Sequence, residues 1–432
     1  MRNDLLWLAA FAGCVSSITI FLIGGGASSL DRSLSWVSRE AGSAAAFFVT
    51  SITATQIKND YHSNTTGSVT DTPPANAAVR KVGILIVPGH QPTSGGTEFN
   101  GVYERNVVVD LAEELGALLA QNPHYSVMVA RTKETWHPTL QNYFDTQADA
   151  IETFRQSLRE QMKDHIAAGT ILPAADQVYH NKTPLEGALQ LYGINKWAGE
   201  QGYDITLHLH LNDDAERRAR RAGEYSGFAV YVPDRQYSNA EASKAIGVAL
   251  AARLNTFHAT STLPKEDRGV VEDQQLIAVG SNNSASSAAL LIEYGYIYEP
   301  QFQNREVRAI AVRDYAYQTY LGLQDFFNDT PSTAPGSLAY PYDWSEVTAK
   351  KGEKGADVYA LQAALRSLGF YPPAGKSFSD CPISGVVGAC TRSALEAYQA
   401  AHGFGVTGFV GPATRAALTA EVGGARDIFK PI

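Results

Sequence analysis

"ILIVPGHQPTSGGTEFNGVYER" (residues 84–105) is a run of apolar residues followed by a glycine-rich loop. Its apolar start predicts a buried strand, which ends at Pro88-Gly89-His90. Glu104 follows a glycine-rich loop and opens a run with helical periodicity. Each polar residue has an ordinary interpretation: His90 caps a loop, and Glu104 stabilises a helix N-terminus. The other interpretation is a binding site, because ligands of open α/β sheets bind beyond the carboxyl ends of the strands.

The alternation of strands and helices continues through residues 82–328. Further strands are predicted in "YSVMVART", "ITLHLHLN", "GFAVYVP" and "AALLIEYGYI", and amphipathic helices lie between most of them. This pattern predicts an α/β fold, with an open, twisted, mostly parallel sheet flanked by helices. Residues 133–185 look helical and contain no strand. We therefore interpret them as an insertion within a domain of residues 81–328.

Two of the predicted strands carry polar side chains that are unfavourable in a core. Side chains alternate along a strand, so His208, His210 and Asn212 share one face of "TLHLHLND". Glu293 follows three apolar residues in "ALLIEYGYI", and a buried carboxylate must be paired, metal-bound or proton-exchanging. The alternatives are two histidines hydrogen-bonded to loops and a glutamate paired with an arginine such as Arg131 or Arg268.

The charge balance argues against a nucleic-acid partner. The net charge is −9, and no dense field of Lys and Arg is present to displace phosphate counterions. The one basic cluster, "ERRARR" (216–221), is interpreted as a solvated loop or helix face. The sequence contains no nucleotide-binding loop and no serine or cysteine nucleophile signature that competes with a metal site.

Residues 1–26 carry a membrane signal. The run Leu5–Gly26 is almost uncharged and long enough to span a bilayer. We expect an uncut anchor, the alternative being a signal peptide cut after Ala27. Residues 27–80, rich in Ser, Thr, Ala and Asn, are expected to form a low-complexity spacer, and the chain beyond the anchor is expected to be exported.

The C-terminal part is predicted to be a separate module. A linker rich in Pro, Ser and Thr is expected at residues 329–345, a small helical module at 346–420 and a tail at 421–432. Cys381 and Cys390 lie close together within the module. They are interpreted either as a disulfide, if this region lies outside the cytoplasm, or as two small core residues.

Taken together, the larger domain resembles the zinc-dependent N-acetylmuramoyl-L-alanine amidases of the type 3 family. The resemblance covers residues 82–328 apart from the insertion. It rests on four motifs in family order, together with "DRGVVEDQQLIAV" (267–279), which is similar to an Arg-Gly-Val segment of the family. The four motifs are Gly89-His90, Glu104, "HLHLN" (208–212) and "EYGY" (293–296).

The resemblance implies roles for particular residues. The zinc ligands fall on His90, Glu104 and His210, and the catalytic glutamate falls on Glu293. Substrate contact or support of the ligands is implied for His208, Asn212 and Arg268. The chain departs from the family in two places: Val87 stands where Asp is usual, and His208 stands where Ser is usual. Neither change removes an expected ligand.

The C-terminal module resembles a peptidoglycan-binding type 1 domain, which is a three-helix unit. "VYALQAALRSLGFY", "GVVGACTRSALEAYQAAHGF" and "GFVGPATRAAL" match its helix signatures, with Gly-x-x-Gly and Thr-x-x-Ala-Leu occurring twice. The loop "PPAGKSFSDCPIS" is wider than the usual connection. A disulfide between Cys381 and Cys390 would link this loop covalently to the following helix.

These resemblances imply a cell-wall hydrolase that cleaves the amide between N-acetylmuramic acid and L-alanine of the stem peptide with zinc-activated water. The alternatives are a zinc peptidase or carboxypeptidase acting within the stem peptide, and a non-catalytic wall-binding scaffold. The expected partners are peptidoglycan, the membrane through the N-terminal segment, and a protein activator that displaces the 133–185 insertion from the zinc. The insertion is alternatively a structural elaboration. The expected location is extracytoplasmic, at the cell wall.

Overall fold

A computed structural model describes residues 52–63, 80–174, 177–178, 180, 183–280, 283–328 and 344–422. The predicted anchor at residues 1–26 lies outside the described residues, as do most of the predicted spacer, linker and tail. In the described part of the chain, no helix is long and apolar enough to cross a membrane.

The larger domain is built on a six-stranded sheet and a short hairpin. The strands are β1 (Val82–Pro88), β2 (Glu98–Phe99), β3 (Val102–Tyr103), β4 (Tyr125–Val129), β5 (Ile205–Asn212), β6 (Ala229–Pro233), β7 (Val270–Asp273) and β8 (Ala288–Tyr296). The sheet order is β4-β1-β5-β8-β6-β7, and β2 pairs with β3. All pairs in the sheet are parallel except β6 with β8. The predicted α/β fold with a mostly parallel sheet is confirmed.

Helices cover both faces of this sheet. The described helices are α1 (Ala54–Ser63), α2 (Glu104–Ala120), α3 (Pro138–Thr146), α4 (Ala148–Ala167), α5 (Leu185–Gln201), α6 (Ala240–Phe257), α7 (Pro300–Gln303), α8 (Arg305–Phe327), α9 (Ala356–Ser367), α10 (Ala389–Ala401) and α11 (Pro412–Val422). On one face, α2, α6 and α8 pack over Leu207, Leu209 and Ile292. On the other, α3 and α5 pack over Leu85 and Val87. Burial on both faces explains why the strands are almost continuously apolar.

The predicted insertion forms α3 and α4 between β4 and β5. Helix α4 buries Ile151 and Leu158 against Tyr192 of α5, and α3 packs beside them. The exposed remainder of α4 is polar, as expected for a helix with a single apolar stripe. The insertion and α5 thus form one helical layer on the sheet.

One stretch of the predicted spacer forms a helix. Helix α1 lies within residues 27–80 and buries Tyr61, whose ring stacks on Phe327 at 4.3 Å between centroids. Asp60 pairs with Arg80, and Arg80 also binds Asp204 at 2.6 Å. The composition of the spacer did not predict this helix on the larger domain, because its two buried side chains lie among mostly polar neighbours.

The C-terminal module docks on the outer helices of the larger domain. Arg366 of α9 donates to the backbone carbonyl of Thr256 at 2.7 Å. Trp344 is buried in an apolar core that contains residues of both the larger domain and the module. A disulfide joins Cys381 to Cys390 at the start of α10. Helix α11 reaches Val422, two residues into the predicted tail.

Candidate metal centre and catalytic residues

Three side chains from separate elements converge beyond the carboxyl end of β1. His90 follows β1, Glu104 is the first residue of α2, and His210 lies near the end of β5. One potential ligand atom from each residue lies within 4.8 Å of those of the other two. Oε1 of Glu104 is 2.8 Å from Nε2 of His90 and 3.0 Å from Nδ1 of His210. The structure thus brings together the three residues that the family resemblance implied as ligands.

Glu104 is held in place by backbone donors. The N–H of Leu211 donates to Oε1 at 3.1 Å, and the N–H of Thr97 donates to Oε2 at 2.9 Å. Burial alone would raise the pKa of the Glu104 carboxyl, but the charges and hydrogen bonds of His90 and His210 lower it far below its usual range. Glu104 is therefore a fixed carboxylate anion between two imidazoles.

The loop after β1 has little freedom to move. His90 has a φ of 68°, and a Cβ on Gly96 would lie 2.9 Å from Cδ2 of His90. The buried guanidinium of Arg131 donates to backbone carbonyls of Pro88 at 3.1 Å and Arg105 at 3.0 Å, and to that of Gly89. Arg131 therefore ties the His90 loop to the start of α2. Within the described structure Arg131 forms no ion pair with Glu293, so the expected alternative of an arginine–glutamate pair does not apply to Arg131.

Glu293 lies next to the three converging side chains. It pairs in register with His210 across β5 and β8. Its Oε2 atom is buried and has no hydrogen-bond partner among the described residues. Burial, followed by the negative charges of Glu104 and Glu266, raises the pKa of the Glu293 carboxyl well above its usual range. A buried carboxyl with a raised pKa beside potential metal ligands is suited to proton transfer.

Sequence reasoning missed Glu266, a second buried carboxylate. It is completely buried and accepts hydrogen bonds from Asn212 at 3.2 Å, from Tyr296 at 3.3 Å and from the hydroxyl of Tyr231. In the sequence, Glu266 is visible only as an acidic residue two positions before Arg268. Nothing there distinguishes it from an exposed charged residue of a loop. Asn212 uses its amide group on Glu266 and its Oδ1 atom on the N–H of Asp213 at 2.8 Å.

The other predicted site residues lie in different surroundings. His208 is completely buried, and neither ring nitrogen has a hydrogen-bond partner among the described residues. Burial, with a smaller effect of His210, lowers the pKa of His208 to about 3. Arg268 is exposed. In the described structure it forms no ion pair with the ligand residues or with Glu293.

The basic cluster at residues 216–221 is divided. Arg218, Arg220 and Arg221 are exposed, in line with a solvated loop. Arg217 instead pairs with Asp213 and donates to the carbonyl of Glu98 at 2.9 Å. Asp213 in turn accepts from the hydroxyl of Thr97. Arg217 therefore braces the loop whose backbone holds Glu104, a role that the run of charges in the sequence does not reveal.

The residues present fit a zinc ion. Nε2 of His90 is buried without a hydrogen-bond partner in the described structure, although it lies 2.8 Å from a carboxylate oxygen. A buried imidazole nitrogen without a hydrogen-bond partner, close to a second imidazole and a carboxylate, is typical of ligands around a cation. Two imidazoles and one carboxylate are a known catalytic zinc set that leaves a coordination position open.

Two family models match the chain. The family model for N-acetylmuramoyl-L-alanine amidase matches residues 84–325, and that for a peptidoglycan binding domain matches residues 354–418. A comparison with curated proteins found no significant match.

Solved amidases were found at low overall similarity. The N-acetylmuramoyl-L-alanine amidase from Clostridium difficile 630 is 16% identical with a TM-score of 0.35, over 58% of this chain and 99% of that chain. Ami1 from Mycobacterium smegmatis is 12% identical with a TM-score of 0.38, over 58% and 98% of the two chains. AmiC2 of Nostoc punctiforme is 16% identical with a TM-score of 0.34, over 57% and 97%. The assignment rests on the family model, which matches more than half of the residues: the chain belongs to the N-acetylmuramoyl-L-alanine amidase family.

Proposed function

We propose that this chain hydrolyses the amide between N-acetylmuramic acid and L-alanine with zinc held by His90, Glu104 and His210 and with Glu293 as the proton-transfer group. The observation that carries the proposal is the convergence of the three ligand atoms within 4.8 Å. The register of Glu293 with His210 supports the role of the glutamate. Zn²⁺ supplies Lewis acidity, which makes water nucleophilic near neutral pH and offsets charge on the scissile carbonyl oxygen.

Glu293 accounts for the proton balance of the reaction. As a carboxylate it takes a proton from the attacking water while the new C–O bond forms. It then gives that proton to the amine of L-alanine as the C–N bond breaks. The position of Glu293 supports this role, because its buried carboxyl pairs in register with His210 and its Oε2 atom has no hydrogen-bond partner among the described residues. Glu104 and its backbone donors keep the two imidazoles in position and exchange no proton.

The module and the N-terminal segment support a proposed location for the reaction. The peptidoglycan-binding domain supports action at the cell wall. We propose that Leu5–Gly26 anchors the chain in a membrane, with the remainder on the extracytoplasmic side, on the basis of the uncharged run alone.

The insertion offers a route for regulation by a protein activator. Gln91, the residue after ligand His90, donates to Gln190 of α5 at 2.8 Å. Helices α3 and α4 pack on α5, so a partner that moves them would disturb the His90 loop through this hydrogen bond. The buried side chains of α4 equally support a purely structural role. Deletion of the insertion in a variant that still folds raises basal activity only if the regulatory proposal holds.

The test measures bound metal and reaction products for the full chain in detergent. With a soluble muropeptide, we expect one zinc per chain and release of an intact stem peptide. Glu293→Gln should keep the metal and lose about 10²–10⁴-fold in kcat. His210→Ala should lose both metal and activity, whereas His402→Ala, on the C-terminal module, should keep both. Full activity of Glu293→Gln would refute its role.

The products also separate the alternatives. Shortened stem peptides with bound zinc would identify a peptidase. Binding to peptidoglycan without metal or cleavage would identify a wall-binding scaffold.

A further inference from the structure

The C-terminal module contains the same loop twice. "SGVVGACTRSAL" (384–395) and "TGFVGPATRAAL" (407–418) align without gaps. In the first copy, Oε1 of Gln362 accepts the N–H groups of Ser384 and Gly385, both at 2.9 Å. In the second, Oε1 of Gln399 accepts the N–H groups of Thr407 at 2.8 Å and Gly408 at 3.0 Å.

The amide nitrogens of the two glutamines complete the equivalence. Nε2 of Gln362 donates to the carbonyl of Val386 at 3.0 Å, and Nε2 of Gln399 donates to that of Phe409 at 2.6 Å. Both glutamines are buried. The side-chain amide of one buried glutamine therefore binds both N–H groups and a carbonyl group of each loop. These hydrogen bonds fix the position of the residue after the glycine.

The first copy is used to dock the module on the catalytic domain. A Cβ on Gly385 would lie 2.8 Å from both methyl carbons of Val307 in α8. Tyr359 and Leu361 of α9 are completely buried, and Arg366 at the end of the same helix binds Thr256. This side of the module is covered, so it cannot receive a polymer.

The second copy faces solvent. Phe409 is 42% exposed, and Val406, just before the clamped residues, is 59% exposed. The guanidinium of Arg392 lies over the ring of Phe409, and the Arg392 stem packs beside Gly408. A fixed aromatic ring beside a cation suits peptidoglycan, because its sugars offer C–H faces and its peptides offer carboxylates.

The distance from the guanidinium carbon of Arg392 to the centroid of the Phe409 ring is 5.6 Å.

We propose that Phe409, Val406 and Arg392 form the peptidoglycan contact of the module, with the glycan strand as the occupant. The two copies of the loop thus have different roles: the first packs the module against the catalytic domain, and the second binds peptidoglycan. The inference rests on the peptidoglycan-binding assignment and extends the proposed function, since it names the surface that contacts the substrate polymer.

The test is sedimentation of the full chain with insoluble peptidoglycan, in a Glu293→Gln background so that the polymer is not degraded. Phe409→Ala should weaken binding by about five- to twentyfold. Phe409→Trp should bind like the parent protein, because a ring is retained. Val248→Ala removes an apolar side chain of similar exposure, 52%, from the catalytic domain and should have no effect.

A second readout separates this inference from the proposed function. With Glu293 intact, Phe409→Ala should hydrolyse a small soluble muropeptide at the parental rate. Unchanged sedimentation of Phe409→Ala, or an equal loss in Val248→Ala, would overturn the inference. If the parent protein sediments in a Phe409-dependent manner but hydrolyses nothing, the proposed reaction fails and the inference stands.

Discussion

Gly89 and His210 approach each other so closely that no side chain fits between them. A Cβ on Gly89 would lie 2.3 Å from Cε1 of His210. The backbone explains the approach, because the N–H of Gly89 donates to the carbonyl of Leu209 at 2.8 Å and so continues the pairing of β1 with β5. The glycine before His90 therefore leaves room for the ring of the other histidine ligand.

Gly89→Ala should weaken zinc binding, because the added methyl group must displace the His210 ring. We expect about a tenfold to hundredfold loss of metal affinity, the range seen when the support of metal ligands is altered. Competition with a chromogenic chelator measures the affinity. Gly405→Ala is the matched control, since nothing lies within 4 Å of a Cβ at that position. Parental affinity in Gly89→Ala would show that the ring moves without consequence.

The sheet edge at which the ligands meet could be predicted from local patterns. A strand ending on His90 and an alternating strand carrying His210 are both visible in the sequence, and parallel strands bring their carboxyl ends to one edge. Arg131 and Arg217 could not be assigned roles in this way. Their partners are mostly backbone carbonyls and loop residues whose positions depend on the tertiary fold.

Glu293 should destabilise the metal-free protein at neutral pH. Its pKa is raised in the folded state, so the folded protein retains a proton that the unfolded chain releases. The contribution of protonated Glu293 to the free energy of unfolding is thus fully present below the unfolded pKa of about 4.3. It declines as the pH rises toward the folded pKa.

Glu293→Gln removes this pH dependence and should raise the melting temperature of the metal-free protein at pH 7.5. We expect a gain on the order of 2–4 °C or more, and almost none at pH 4. Thermal unfolding in the presence of a chelator measures it across that range. Glu113→Gln, at an exposed position on α2, should follow the parent protein. A gain that is the same at both pH values would argue for a packing effect instead.

The disulfide between Cys381 and Cys390 should stabilise the C-terminal module. Cys381 is buried, and its bond to Cys390 closes a loop with a sequence separation of 9. Replacing both cysteines by serine frees this loop in the unfolded chain and should cost about 2–3 kcal/mol. Denaturant unfolding, with and without a reducing agent, measures the change.

The same double variant should leave hydrolysis of a soluble muropeptide unchanged, because the ligand residues lie in the other domain. Its binding to insoluble peptidoglycan should fall at temperatures where the module unfolds, since Gln399 and the loop that it clamps belong to the destabilised unit. Reducing agent should lower the stability of the parent protein to that of the double variant and have no effect on the variant itself. If the reduced and oxidised parent proteins unfold at the same denaturant concentration, the disulfide does not stabilise the module.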